Sequence, residues 1–352
     1  MNHLDIHAER CVHQQVVASD CDACVRACPP GAWRLHDDGL GFDADACDGC
    51  GLCVAACPTG ALELPAPQAL LHTDARGKRS LLLACERADV HGAAGVVACL
   101  YALAPGWLLR QCDTHRAHAI AVAPGDCTHC ERGAAGPAWR AHWLAVAARL
   151  PAAPQLKPTT APEWTARASA PAVPDAGRRA FFRRLAPVAT RATATASEPA
   201  LSSARADTVA RLAVVGTDAP PAPLWAVTLD TARCTFCMAC TRLCPTGALA
   251  VELGSAVEQF RLDMARCTGC GLCQAVCGDG ALSAPRTPAP DDTALAQPVR
   301  LPLHRRRCPS CRIDFHQFAA PAEGPHSEER CPTCRQGRPW QPKLVVQDAT
   351  PS

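Results

Sequence analysis

The sequence predicts an α+β protein assembled from small modules that metal sites hold together. Three observations predict this. The 352 residues include 25 cysteines, while aromatic residues make up only 4%. The cysteines fall into groups, eight in 11–57, five in 85–130, eight in 234–277 and four in 308–334, so that two octets form an internal repeat. There are also 32 prolines and 23 glycines, and just three isoleucines (Ile6, Ile120, Ile313), too little bulky aliphatic side chain for one large core.

Met1 to Arg10 contains no apolar run of the kind that directs export. The expectation is a cytoplasmic chain, whose thiols stay reduced and serve metal or redox chemistry rather than disulfides. The longest uncharged stretch, Gly92 to Leu109, is interrupted by Pro105-Gly106 and is rich in Gly and Ala, so no transmembrane segment is expected. A formal charge of +2 gives no electrostatic footprint for nucleic acid.

Residues 1–66 and 224–286 carry the octets. The second reads Cys234-x2-Cys237-x2-Cys240-x3-Cys244-Pro245 and Cys267-x2-Cys270-x2-Cys273-x3-Cys277. Cysteine at every third position lets a short loop wrap three corners of a [4Fe–4S] cubane, and the fourth cysteine points to the neighbouring cluster. One cluster is thereby assigned to Cys234, Cys237, Cys240 and Cys277, the other to Cys267, Cys270, Cys273 and Cys244. The first octet has the regular run Cys47, Cys50, Cys53, Cys57-Pro58 and the irregular run Cys21, Cys24, Cys28-Pro29, with Ala18 where a first ligand is expected. Cys11, ten positions before Cys21, supplies that ligand through an enlarged loop. The assignment is then Cys11, Cys21, Cys24, Cys57 and Cys47, Cys50, Cys53, Cys28. The alternative is a three-cysteine [3Fe–4S] site with Cys11 free.

These motifs, CDGCGLCVAACPTGAL, CTFCMACTRLCPTGAL and CTGCGLCQAVCGDGAL, resemble two-cluster bacterial-type ferredoxin domains over roughly residues 5–65 and 225–285. The resemblance implies a ββαββα-like pseudo-twofold fold and electron transfer. Gly278 departs from the family by standing where Pro usually follows the last cysteine.

Residues 78–150 read as a small α/β domain, with strands at Ser80–Cys85, Val96–Leu100 and Ala119–Ala123 and a helix at Ala138–Leu150. The LLLAC, VVACL and GDCTHC pieces resemble the iron-sulfur delta subunit of methanogen-type hydrogenases and heterodisulfide reductases. That resemblance implies a [2Fe–2S] centre or zinc at Cys85, Cys99, Cys127 and Cys130, with Cys112 and His115 as spare candidates; the alternative is buried, unliganded thiols. Residues 151–223 read as a Pro/Ala-rich linker interrupted by a short Arg/Phe helix at 178–185, read as a docking element for a partner.

Residues 300–340 contain Cys308-x2-Cys311 and Cys331-x2-Cys334 across a 19-residue gap, a zinc-ribbon spacing. Zinc is the expected metal, with tetrathiolate iron as runner-up. His304, His316 and His326 read as surface residues, and Arg305, Arg306 and Arg307 as a solvated patch.

No nucleophile–base pair, no GxGxxG and no P-loop is present, so independent catalysis is not expected. The sequence points to a multi-cluster iron-sulfur protein, polyferredoxin-like, that passes single electrons to or from a partner oxidoreductase, with molybdenum enzymes as the partner class. The alternative is an assembly or maturation factor for such an enzyme. Each oxidised cubane and a tetrathiolate zinc carry −2, so four cubanes and one zinc take the formal charge from +2 to about −8.

Overall fold

The computed structural model describes residues 4–16, 19–36, 39–90, 94–170, 205, 208–209, 211–212, 223–254, 257–284, 297–318 and 330–335. Ala18, the segment 178–185 and His326 lie outside these residues.

The two octet regions fold alike. In the first, β1 (Asp5–Ile6) pairs antiparallel with β4 (Leu62–Glu63), and β2 (Trp33–His36) forms a hairpin with β3 (Gly39–Phe42). Helices α1 (Val12–Gln15), α2 (Ala23–Arg26) and α3 (Leu52–Ala56) lie between the strands in sequence. In the second, β10 (Thr228–Leu229) pairs with β13 (Leu282–Ser283) and β11 (Leu249–Glu252) with β12 (Gln259–Leu262), with short helices at Ala239–Leu243 and Leu272–Ala275. Each module thus closes its outer strands on one another and carries one hairpin and two cysteine-bearing helices. The helices are four or five residues long, too short to persist alone. Those of the first module pack Cys24, Val25, Cys53 and Val54 against buried neighbours such as Trp33 and Leu62.

The middle region is a mixed sheet. β6 (Arg79–Cys85), β7 (Val96–Val97), β8 (Ala119–Ala123) and β9 (Gln155–Pro158) run parallel, and β5 (Leu70–Thr73) adds antiparallel to β6. Leu81, Leu82, Leu83, Ala84, Ile120 and Ala123 are fully buried, as the run of apolar residues in β6 requires for a strand covered on both faces. α4 (Pro105–His115) and α5 (Gly136–Ala147) carry Trp107 and Trp143 into that core.

The reading of 151–223 as linker needs correction at both ends. Residues 155–158 are β9, in register with 119–122 of β8. They lead into α6 (Ala161–Ala168), whose Trp164 is 1% exposed against Leu82, Ala84 and Ala121. The local cause is a capping box, in which the Thr160 side chain accepts from Glu163 N while the Glu163 carboxylate accepts from Thr160 N. At the far end, Thr208 and Leu212 are buried, and Gly106 N donates to Thr208 Oγ1 at 3.0 Å.

The ribbon region also departs from a free-standing unit. β14 (Val299–Arg307) pairs through residues 299–302 with β12 and through 303–307 with β15 (Asp314–Phe318), so one strand serves both hairpins.

Candidate metal centres

Fifteen of the sixteen octet cysteines meet in the crossed arrangement. Cys24 interacts electrostatically with Cys21, Cys57 and Cys11, and burial together with these neighbours pushes its thiol up to about 12. All four line one cavity of about 180 Å³. Cys53 interacts with Cys28 and Cys47. Cys50 is buried beside Leu52, Cys99 and Ala102, and its thiol, pushed up to about 12 mainly by burial, also feels Asp48 and Arg132.

In the second module Cys240 meets Cys234, Cys237 and Cys277, and the four line a second pocket. Cys273 meets Cys270, Cys267 and Cys244, and its thiol is strongly raised, chiefly by burial. Cys24 also senses Cys53, and Cys273 senses Cys240, so the two sets of thiols in each module are neighbours. The raised thiols of Cys24, Cys53, Cys240 and Cys273, each beside further cysteines, fit a metal cluster: such a buried sulfur resists ionisation until iron replaces its proton. Thiolate quartets spread over several angstroms suit a cubane, which offers each sulfur its own iron.

A repeated backbone turn follows the fourth cysteine of each run. Gly31, Gly60, Gly247 and Gly280, each three residues on, have φ between +59° and +69°. This left-handed step turns the chain back, so that Ala32 N, Ala61 N and Ala281 N donate to the sulfurs of Cys28, Cys57 and Cys277 at 3.3, 3.2 and 3.2 Å. Such N–H to sulfur bonds stabilise added negative charge on a cluster and raise its potential.

The ribbon differs in scale. The sulfurs of Cys308, Cys311, Cys331 and Cys334 all lie within 4.8 Å of one another, Cys311 and Cys331 at 3.6 Å. A tetrahedral zinc with about 2.3 Å bonds separates its sulfurs by about 3.8 Å, so the set fits a single ion. Cys331 N donates to Cys308 Sγ at 3.3 Å, and this bond leads in lowering the Cys308 thiol to about 6.

Among the described residues the middle-domain cysteines do not form such a set. Cys85 and Cys99 are neighbours, but Cys127 meets Tyr101, and Cys130 Sγ accepts from Arg87 Nη1 at 3.3 Å. The four stand at the carboxyl ends of β6, β7 and β8, as expected from the strand order, but are not gathered at the spacing of a single-ion tetrahedron. Cys112 is a core thiol of α4, pushed up to about 12 by burial, and His115 closes the same helix.

Sequence reasoning missed two residues at these sites. Arg132, buried between Asp48 and Glu86, gave no signal as a lone arginine. Phe236 was visible only by setting CTFCMAC against CDGCGLC and CTGCGLC.

The fold and these quartets define ferredoxin-type iron-sulfur modules. Family models agree: residues 8–31 and 40–63 each match a 4Fe-4S binding domain, and residues 226–278 match a 4Fe-4S dicluster domain. The matched residues do not include 78–150, so the delta-subunit resemblance gains no support from them. No curated protein matches the chain. Among the described residues, no helix is long and apolar enough to cross a membrane.

Proposed function

We propose that the chain is a polyferredoxin with four [4Fe–4S] clusters and one zinc, which passes single electrons to or from a partner oxidoreductase, molybdenum enzymes being the favoured class. The observation that carries this reading is the pairing of quartets within each module, through Cys24 with Cys53 and Cys240 with Cys273. Adjacent one-electron centres are what a relay needs, and the bound clusters supply that chemistry. The protein's own part is to hold the sulfurs, to donate backbone N–H groups to them and to limit water around them.

Anaerobic analysis of the purified protein tests the proposal. About 16 iron, about 16 sulfide and one zinc per chain are expected, with reversible dithionite reduction and coupled EPR signals. About eight iron would reject the four-cluster assignment. Clusters that pass to an apo-enzyme and are then lost would favour the assembly role instead.

A further inference from the structure

Phe236 stands where the other regular runs of this chain use glycine. In Cys47–Gly51 and Cys267–Gly271 the third and fifth residues are left-handed glycines: Gly49 at +70°, Gly51 at +78°, Gly269 at +63° and Gly271 at +76°. The same loop at Cys234–Met238 keeps the conformation but fills it with Phe236 at +58° and Met238 at +61°. Residues with a Cβ are disfavoured there, so what the Phe236 side chain touches is informative.

It touches the ribbon. The Phe236 ring lies 5.5 Å from that of His316 and 6.0 Å from that of Phe318, both on β15, and 6.4 Å from Phe260 on β12. Phe260 and Phe318 are themselves 5.9 Å apart. His316 Nε2 sits 3.1 Å from Glu258 Oε2, a second tie between the ribbon hairpin and the dicluster module. Beside this aromatic box opens a cleft of about 1150 Å³, with Thr235, Cys237 and Asp279 on the cluster side and Cys311, Ile313 and Cys334 on the ribbon side. Cys237 and Cys311 are both exposed. The turn that joins β14 to β15 contains the Cys308–Cys311 knuckle, so an ion held by the four thiolates would also fix the hairpin carrying His316 and Phe318.

We propose that the ribbon site controls the cluster of Cys234, Cys237, Cys240 and Cys277, with Phe236 as the positioning residue that links them. Metal in the ribbon holds the hairpin against the Phe236 loop, and the loop sets water access and hydrogen bonding at the sulfurs. The ribbon is then a control element for one redox centre of four. This inference rests on the quartet holding a [4Fe–4S] cluster.

The test compares the full-length protein, reconstituted anaerobically, with Cys308→Ser/Cys334→Ser, Phe236→Ala and Phe236→Tyr. EPR-monitored redox titration follows all four clusters, and the signal altered by Cys237→Ser marks the one in question. In the double variant and in Phe236→Ala, its reduced-to-oxidised ratio at a fixed potential changes at least tenfold, 59 mV for a one-electron couple. The first-module clusters stay in place, Phe236→Ala keeps its zinc, and Phe236→Tyr returns the native value. Unchanged potentials in both altered proteins overturn the proposal. If the double variant sheds the second dicluster, Phe236→Ala decides, because it removes no ligand. Failure of the underlying assignment is recognised separately, as missing iron in the unsubstituted protein before any variant is compared.

Discussion

Arg132 and Asp48 meet at 2.7 Å across the boundary between the middle sheet and the first dicluster module, 84 residues apart in the chain. The same guanidinium donates to Glu86 Oε1 and to the Ala98 carbonyl, each at 2.7 Å, and its side chain is only 5% exposed. Asp48 sits between Cys47 and Cys50 and accepts from Cys50 N at 3.1 Å. Burial works to raise its carboxyl, but the bonds from Cys50 and Arg132 outweigh burial and hold it below the usual range.

Arg132→Met therefore takes the shared cation away from both Asp48 and Glu86. Breaking a buried pair costs 3–5 kcal/mol; both acids here reach solvent, so about 2 kcal/mol is expected. Anaerobic thermal melts of loaded protein measure it. Removing the positive charge is also expected to lower the potential of the cluster proposed at Cys28, Cys47, Cys50 and Cys53, which a redox titration reads. An unchanged melt would show that the bridge contributes nothing to stability.

Cys11→Ser tests the irregular run. Cys11 lies beside Cys21, Cys24 and Cys57, and its loss would leave the cluster proposed there with three thiolates. Iron is expected to fall by one to four atoms from about 16, with a new three-iron EPR signal if the cluster survives. Full iron content and an unaltered spectrum would mean that another ligand completes the site.

Trp164→Ala should cost about 4 kcal/mol, since it empties a fully buried indole site under β6 and β8. Thr160→Ala, which removes half of the capping box, should cost about 1 kcal/mol. Chemical denaturation gives both values, and limited proteolysis within 151–170 should accelerate in the same order.

His142 gives a pH dependence. Burial, and then the Arg205 charge, hold its imidazole down to about 4, against 6.5 when unfolded. The unfolded chain therefore takes up the proton first as pH falls. The stabilisation is complete above 6.5 and is lost as pH drops from there towards 4. Between pH 7.5 and 6 the loss is about 1 kcal/mol. Denaturation of the native protein and of His142→Gln at the two pH values isolates it, and equal slopes would place the titration elsewhere.

The spacing of cysteines made the ligand runs legible because a cluster dictates its loop: three thiols at intervals of three, one thiol further on, and a turn glycine behind it. Three of the five strands of the middle sheet, β6, β7 and β8, were legible as apolar runs such as Leu81–Leu83, while β5 and β9 were not. What stayed hidden was long-range or locally rare. A single tryptophan and a four-residue cap turn 155–168 into structure, and the surrounding Pro and Ala conceal them. Arg132 acquires its role only when three distant segments converge, which no local pattern records. Phe236 is the intermediate case, since the repeat itself supplies the comparison that makes it stand out.

The strand Val299–Arg307 belongs to two hairpins at once, and this has a consequence for how the chain can be divided. Its first half is stitched to Gln259–Leu262 and its second to Asp314–Phe318. A cut made before Val299 strips the dicluster sheet of an edge strand. A cut after Pro302 leaves the ribbon with half a strand. Among the described residues this strand offers no clean seam between the two hairpins, and recombination or proteolytic trimming within it would damage both neighbours together.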